Sequence, residues 1–467
     1  MRRKRLSGRS SAKGRPKTGR HAGKRAAGRR QGRAARRIAP RGRAADALPA
    51  APPAKPPAGS LEAYQELEKT FYLLRDALEA AESFDRFGEE LRRRNIPEER
   101  VRRIADLGVE GDLHLHSNVS DGRLPPQKLP WLARALGLRT IGITDHDSVD
   151  GCREAFREGM LIGVHVLVGV ELSTEQAGLE ILAYFPDAGK FFSFLTSARS
   201  ERFREALARR QEAVHRLSLA CLEHVNRWLR RQNVPAENPI TLQEYDGWFG
   251  GRKPYFPGTL CVLGLKRLAP RERDRLKIHD PRTFNTRVVT PFLEAYRLKL
   301  PAPASRKEPK SRLEENFSLV RALARAGVPV ATFIAHPKEL LAKGRMSLGQ
   351  ARKMVFQLAR QHGLDGLEVA CARDTEDDIR YWKEVVADYD AGLATAAGRG
   401  FRKPLLEASY SSDFHVLAPG LATGEITIGF GTLDSRPAMR RGNLRPQMAL
   451  GEFLEQLRRR ANENAGL

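Results

Sequence analysis

The sequence predicts an α/β fold, and three observations carry the prediction. From Gly111 onward, short apolar strand-like runs alternate with amphipathic helical segments. Between the fourth and fifth runs, roughly residues 187–310, a long insert keeps helical spacing. Of the eleven histidines, five close predicted strands: His114, His116, His146, His336 and His415. A chain that ends its strands with imidazoles is arranged for chemistry at one face of a sheet.

The elements follow in order. Residues 1–59 are mainly Arg, Ala, Gly and Lys and end in the linker LPAAPPAKPPAGS. Nothing there can bury a core, so this segment reads as a disordered basic tail. Residues 60–110 turn helical, with Leu61, Tyr64, Leu67, Phe71, Leu74 and Leu78 recurring at three or four. Pro97 suits the first turn of a second helix, PEERVRRIADLG. Together they form an N-terminal helical brace. The strands are GDLHLH (111–116), TIGITDH (140–146), VHVLVGVELS (164–173), LEILAYF (179–185), VPVATFIAH (328–336), LDGLEVAC (364–371) and LEASYSSDFH (406–415). Amphipathic segments at 127–137, 347–362 and 376–390 follow most of them. In the insert, Phe203, Leu207, Val214, Leu217, Cys221, Val225 and Trp228 mark a long first helix. The barrel domain is placed at 111–420, and 421–467 is a C-terminal extension with a final helix.

Composition bounds the function. The 467 residues are 41% hydrophobic, enough to bury a sizeable core. Residues 1–57 hold 19 Lys/Arg against one acid, Asp46, a net +18 of the chain's +25. Basicity therefore belongs to the tail. It reads equally as an arm for RNA, DNA or another polyanion and as a solubilising extension. The tail has no aromatic residue on which a base could stack, so no sequence readout is implied. No apolar run approaches the about 18 residues of a membrane span, so no membrane partner is expected. Cys152, Cys221, Cys261 and Cys371 show no paired spacing, which points to a reducing cytoplasm.

Carboxylates accompany the strand-end histidines: Asp121, Glu171 and Asp413. In a parallel barrel the carboxyl ends of the strands converge on one face, where such folds build their sites. His114 and His116 are two apart and share a side of one strand, and Asp413 and His415 repeat that geometry on the last. Two such pairs, with single donors closing further strands, predict a polynuclear metal site. Asp112, Ser117, Asp145 and Asp147 flank these donors and read as supporting or turn residues. Glu368 closes the sixth strand and reads either as facing the site or as the partner of a neighbouring arginine, the second reading leading. His165, His215, His224, His279 and His362 read as structural or surface.

The motifs DLHLHSNVSDG, ITDHDS, GVELS, FIAHP and SSDFH, in that order from Gly111 to His415, resemble those of the PHP (polymerase and histidinol phosphatase) superfamily. The resemblance is nearest to stand-alone bacterial PHP phosphoesterases that cleave nucleotide phosphates or trim RNA 5′ ends. It implies a distorted (β/α)7 barrel holding two to three divalent ions, Mn²⁺ foremost, with Zn²⁺, Fe²⁺ or Mg²⁺ as alternatives. By position, one metal falls to His114, His116, Glu171 and Asp413, and a second to Asp121, His146 and His415. The third shares Glu171 with His336 and one more ligand. Relatives place a histidine there, on the fourth strand, where this chain reads Leu-Glu-Ile-Leu-Ala-Tyr. Glu180 occupies the matching place, and ligation by its carboxylate is favoured over an outward-facing strand residue.

A metal-dependent phosphoesterase follows as the expected activity, with attack by a metal-activated water and no nucleophilic Ser or Cys. Its substrate is expected to be a nucleotide or a nucleic-acid end. Lys338, after the AHP motif, and Lys253, in a Lys-Pro-Tyr-Phe segment resembling the family's R-x-H-F, are candidate phosphate contacts. Arg202 and Arg204 read rather as a solvated helix face. Alternatives are a histidinol-phosphate-type phosphatase, an amidohydrolase, or a non-catalytic polyanion-binding protein on the same barrel. The terminal Asp-x-His and the early TDHD favour the PHP pattern over the amidohydrolase. Retention of so many donors speaks against decay.

Overall fold

In the computed structural model, seven strands form one mixed sheet whose spatial order equals their order in sequence. The structure describes residues 73–96, 111–174, 176, 178–232, 234, 238–248, 257–279, 281–297, 311–342, 345–371, 374–395, 403–408, 412–413 and 449–466. All of them lie in the unit Pro56–Leu467. The basic tail, Lys253 and His415 fall outside the described residues.

The first half runs α1 (Phe84–Arg93), β1 (Gly111–Leu115), α2 (Lys128–Leu136), β2 (Thr140–Ile143), α3 (Cys152–Ile162), β3 (His165–Ser173), β4 (Glu180–Phe185) and α4 (Ala188–Thr196). The insertion holds α5 (Glu201–Arg231), α6 (Leu242–Trp248), α7 (Thr259–Arg267), α8 (Pro270–Leu276), α9 (Pro281–Phe284) and α10 (Thr290–Arg297). The second half is α11 (Arg312–Arg325), β5 (Ala331–Ile334), α12 (Leu348–His362), β6 (Gly366–Glu368), α13 (Glu376–Thr395), β7 (Leu406–Ala408) and α14 (Leu450–Ala465).

β1, β2 and β3 pair in parallel, as do β5, β6 and β7, each pair joined through a covering helix. β4 is antiparallel to both neighbours. The reason is local: residues 174–179 are too few for a crossover, which takes about a dozen or more, so the chain can only turn back. This reversal is the distortion in the (β/α)7 barrel, and it decides where Glu180 lies. In that register Ser173 pairs with Glu180, so the first residue of β4 sits beside the last of β3.

Alternation sorts the side chains. On β3, Val166, Val168, Val170 and Leu172 enter the outer core between sheet and helices. Leu167 turns inward with Leu113, Leu182, Tyr184, Phe333 and Leu406. β1 carries a bulge between Asp112 and Leu115. Gly142 of β2 admits that bulge, since a Cβ there would meet the Leu113 carbonyl oxygen at 2.0 Å. In the brace, residues 73–80 are helical, and Leu74, Ala77, Leu78 and Phe87 are buried in the outer core. Its second segment, from Pro97, lies outside the described residues.

Two helices tie distant parts together. α5 begins in the outer core through Phe203, Ala206 and Leu207. Its far half, with Cys221, Leu222, Val225 and Leu229, joins Tyr245, Leu260, Phe284 and Val288 in a separate core of the insertion. α14 crosses the amino-terminal ends of the strands and seals the barrel interior with Leu450, Phe453, Leu457 and Ala461. Asn464 near its end donates to the Val330 carbonyl at 2.8 Å, just before β5. No described helix is long and apolar enough to cross a membrane. All four cysteines are buried.

Candidate metal centre

The polar residues gather at the opposite end of the barrel from α14. β1 delivers His114, with His116 just beyond it, and both are fully buried. His146 follows β2 and makes an isolated parallel bridge to Glu171 of β3. Glu180 opens β4, His336 follows β5, Glu368 closes β6, and Asp413 follows β7. Two of these positions, and Asp147 beside His146, break the ordinary backbone pattern. His336, Asp413 and Asp147 take φ of 24°, 54° and 45°, a region that side chains enter at a cost of about 1–3 kcal/mol each. At the strand ends that cost is met to aim the imidazoles and carboxylates inward.

Glu171 is the hub. Its Oε2 lies 3.1 Å from His114 Nε2, 3.3 Å from His116 Nε2 and 3.2 Å from His146 Nδ1. Its Oε1 lies 3.1 Å from His336 Nε2. Asp413 Oδ1 stands 3.3 Å from His116 Nε2 and 3.7 Å from His114 Nε2. Towards the rim, Asp121 lies 3.5 Å from His116 Nδ1 and 3.6 Å from His146 Nε2. Glu180 reaches 3.4 Å from His336 Nε2 and 3.7 Å from His146 Nδ1. Its neighbours Leu179 and Ile181 are buried on the other face, in the outer core.

Three groups of donors converge within 4.8 Å: His114, His116, Glu171 and Asp413; His116, Asp121 and His146; and His146, Glu171 and Glu180. The first is wholly buried, whereas Asp121 and Glu180 are a quarter exposed. The deep end is closed and the open side lies by His146.

The donor set fits divalent cations. Glu368 takes His114 Nδ1 at 3.0 Å, which orients the ring and turns its Nε2 lone pair toward the cluster. That Nε2 then faces His116 Nε2 at 3.0 Å and a carboxylate oxygen at 3.1 Å. Several acceptors aimed at one point are satisfied either by extra protons on the imidazoles or by a cation in their place. With protons alone the site is highly polarised. Burial is the largest single influence on His114 and favours its neutral ring, yet Glu368 and Glu171 together hold it well above the usual imidazole range. His146 is pushed up to about 9 against the same burial penalty, by Glu171, Asp121 and Glu180. Burial likewise opposes the Glu171 anion, but His146 and His114 keep it well below the usual carboxylate range.

Supporting residues surround this set. Asp145 accepts from the Ser117 N–H at 2.7 Å, the Ser117 hydroxyl at 2.7 Å and the Ser120 hydroxyl at 2.6 Å, pinning the loop after β1. Asp112 accepts from Ser412 N at 3.0 Å, linking the segment before Asp413 back to β1.

Glu368 corrects the sequence reading. Its partners are His114 and the His336 N–H, the latter at 2.7 Å, and not an arginine. The strand-end rule that singled out the histidines applies to it equally. Arg210, buried on α5, carried no signal beyond its place in a basic helix. Lys338 forms an ion pair with Asp378 at 2.7 Å. Lys253 and His415 lie outside the described residues. Among the remaining histidines, His165 is exposed, while His224 and His362 stack on Phe292 and Phe317.

Comparison with known proteins finds similar sequences and folds. The family model of the PHP domain matches residues 112–255. A 5′-3′ exoribonuclease of Haemophilus influenzae is 40% identical over 67 residues, 14% of this chain and 24% of that one. A 3′,5′-nucleoside bisphosphate phosphatase of Chromobacterium violaceum is 40% identical over 62 residues, 13% of this chain and 22% of that one. The chain thus spans about a quarter of the length of these curated relatives. A solved chain from Bifidobacterium adolescentis, assigned as a metal-dependent phosphoesterase, covers 72% of this chain and 97% of its own at 20% identity, with a TM-score of 0.42. The matched segment carries His114, His116, Asp121, His146, Glu171 and Glu180, so residues 112–255 of this chain are similar to the PHP domain.

Proposed function

We propose that the protein is a metal-dependent phosphoesterase acting on a nucleotide or a nucleic-acid end. The observation that carries this reading is the single Glu171 carboxylate, shared among the donors of adjoining groups. In the proposal His114, His116, Glu171 and Asp413 hold one ion, and Asp121, His146 and His415 a second. Glu171, His336 and Glu180 hold a third. Mixed imidazole and carboxylate donors suit Mn²⁺, with Zn²⁺, Fe²⁺ and Mg²⁺ as lesser candidates. When bound, such ions neutralise phosphoryl oxygens and acidify water.

The chain's own groups do the rest. Glu368 orients His114 through Nδ1, and Asp145 holds the loop of His116 and Asp121. The buried group excludes water from the deep side, so the phosphate enters at the partly exposed rim of Asp121, His146 and Glu180. Lys338, which pairs with Asp378, and Lys253 are the proposed substrate contacts.

The relatives named as an exoribonuclease and a bisphosphate phosphatase support a phosphate carried on a nucleoside or RNA. The tail's +18 charge suits a polyanionic partner, and cysteines without paired spacing in the sequence suit a reducing cytoplasm. The test is a panel of mononucleotides, 3′,5′-nucleoside bisphosphates, histidinol phosphate and 5′-phosphorylated RNA, run on metal-stripped and Mn²⁺-reloaded protein. Hydrolysis only after reloading, fastest on a nucleotide or RNA, supports the reading. Full turnover in excess chelator sinks the metal role, and preference for histidinol phosphate sinks the substrate assignment.

A further inference from the structure

We propose that Arg210 is a positioning residue that ties the helical insertion to the His146 side of the metal centre; this rests on the metal-site reading above. Arg210 is 4% exposed and lies on α5 where that helix passes from the barrel's outer core to the insertion's core. One end of its guanidinium donates to Asp147 Oδ1 at 3.0 Å and the other to Glu315 Oε2 of α11 at 2.6 Å. The next residue, Gln211, donates to the Asp147 carbonyl at 3.0 Å.

Asp147 is more than a counter-ion. It adjoins His146 and holds a left-handed φ of 45°. Its N–H donates to the Glu171 carbonyl at 2.8 Å, and its carboxylate accepts from Ser173 N at 3.3 Å. The main chain and carboxylate of Asp147 thus bind the β3 end that carries Glu171, and α5. The strained turn aims His146 at Glu171 and Asp121, and the forked guanidinium is the clamp on that turn. Because α5 is continuous, a shift of the insertion's core moves Arg210 and with it the turn. The insertion then sets how firmly the rim metal is held; of the buried set the clamp reaches only Glu171, through its main-chain carbonyl, and not His114, His116 or Asp413.

The experiment is Mn²⁺ titration of metal-stripped full-length protein by calorimetry, with metal content after desalting, for wild type, Arg210→Gln, Arg210→Lys and Glu315→Gln. In Arg210→Gln one equivalent should weaken by about 10–100-fold, with the tighter equivalent unchanged. Arg210→Lys should recover only part of this, since one ammonium does not span both carboxylates. Glu315→Gln, which touches neither Asp147 nor a donor, should weaken the same equivalent less. If Arg210→Gln does not fold, the lysine variant decides alone, by loss or retention of the weaker equivalent. Wild-type affinities and stoichiometry in the folded variants overturn the inference, as does equal weakening of every equivalent. A wild type that binds no divalent ion overturns the metal-site reading instead.

Discussion

The two ends of the barrel are built from the same strands and treat charge in opposite ways. At the floor, under α14, Asp365 is buried beside a cation and two donors. Lys403 Nζ stands 2.5 Å away, and Thr332 N and Asn464 Nδ2 donate at 2.8 and 3.0 Å. Around this pair the interior is apolar, filled by Leu113, Phe333, Phe453 and Leu457. At the mouth, buried imidazoles and carboxylates face one another within 3.0–3.7 Å, and His336 and Asp413 sit at positive φ. A floor arranged for stability closes each charge with its opposite. A mouth arranged for chemistry leaves acceptors converging on places that cations can complete.

This contrast makes separable predictions. The largest effect belongs to the hub. Glu171→Gln should cut hydrolysis on the order of 10³-fold, several kcal/mol of lost charge stabilisation, and lower metal stoichiometry with little change in melting temperature. Near-wild-type turnover with full metal content would break the contrast at its centre. At the floor the outcome reverses. Burial, the largest influence on both, pushes Asp365 up and Lys403 down, so the pair is costly to desolvate. Lys403→Met strands the carboxylate and should cost about 3–5 kcal/mol in chemical unfolding while leaving metal content untouched. Replacing both charges by apolar groups should restore most of that loss.

Two smaller effects sharpen the account of the mouth. Glu368→Gln should weaken the His114 metal by about 10–100-fold, measured by competition with a chelator, because the ring loses its anionic anchor. Glu180→Ala should lower metal stoichiometry and activity together, and Glu180→His should largely restore both. An alanine variant with unchanged metal content would leave the mouth dinuclear. The smallest effect on catalysis is expected from removing residues 1–57. Hydrolysis of small substrates should stay intact, while RNA binding weakens and loses its steep salt dependence. Unchanged RNA affinity across salt concentrations would make the tail a passive extension.

Much of the mouth was legible before any coordinates because strand alternation is a local property. His114 and His116 share a side whatever the rest of the chain does, and each strand-end histidine carries its own signal. The same periodicity sends Leu179 and Ile181 outward and Glu180 inward. Local pattern stops at direction and partner. Whether Glu180 reaches the mouth or the floor depends on which way β4 runs, and that was settled by pairing with β3 and β5. Glu368 was read toward an arginine because a lone carboxylate at a strand end has several equivalent partners until the sheet curves. The curvature then brings it to His114, 254 residues away in sequence.

The sequence by itself determined the α/β alternation, the donor types at the strand ends, and the segregation of charge into residues 1–57. Each of these depends on composition or on periodicity within a few residues. Only the tertiary structure decided that α14 seals the barrel floor, that Arg210 clamps the Asp147 turn, and that one Glu171 carboxylate serves four imidazoles. Those are contacts between residues tens to hundreds apart. Their energy comes from burial and geometry that exist only once the sheet has closed around them.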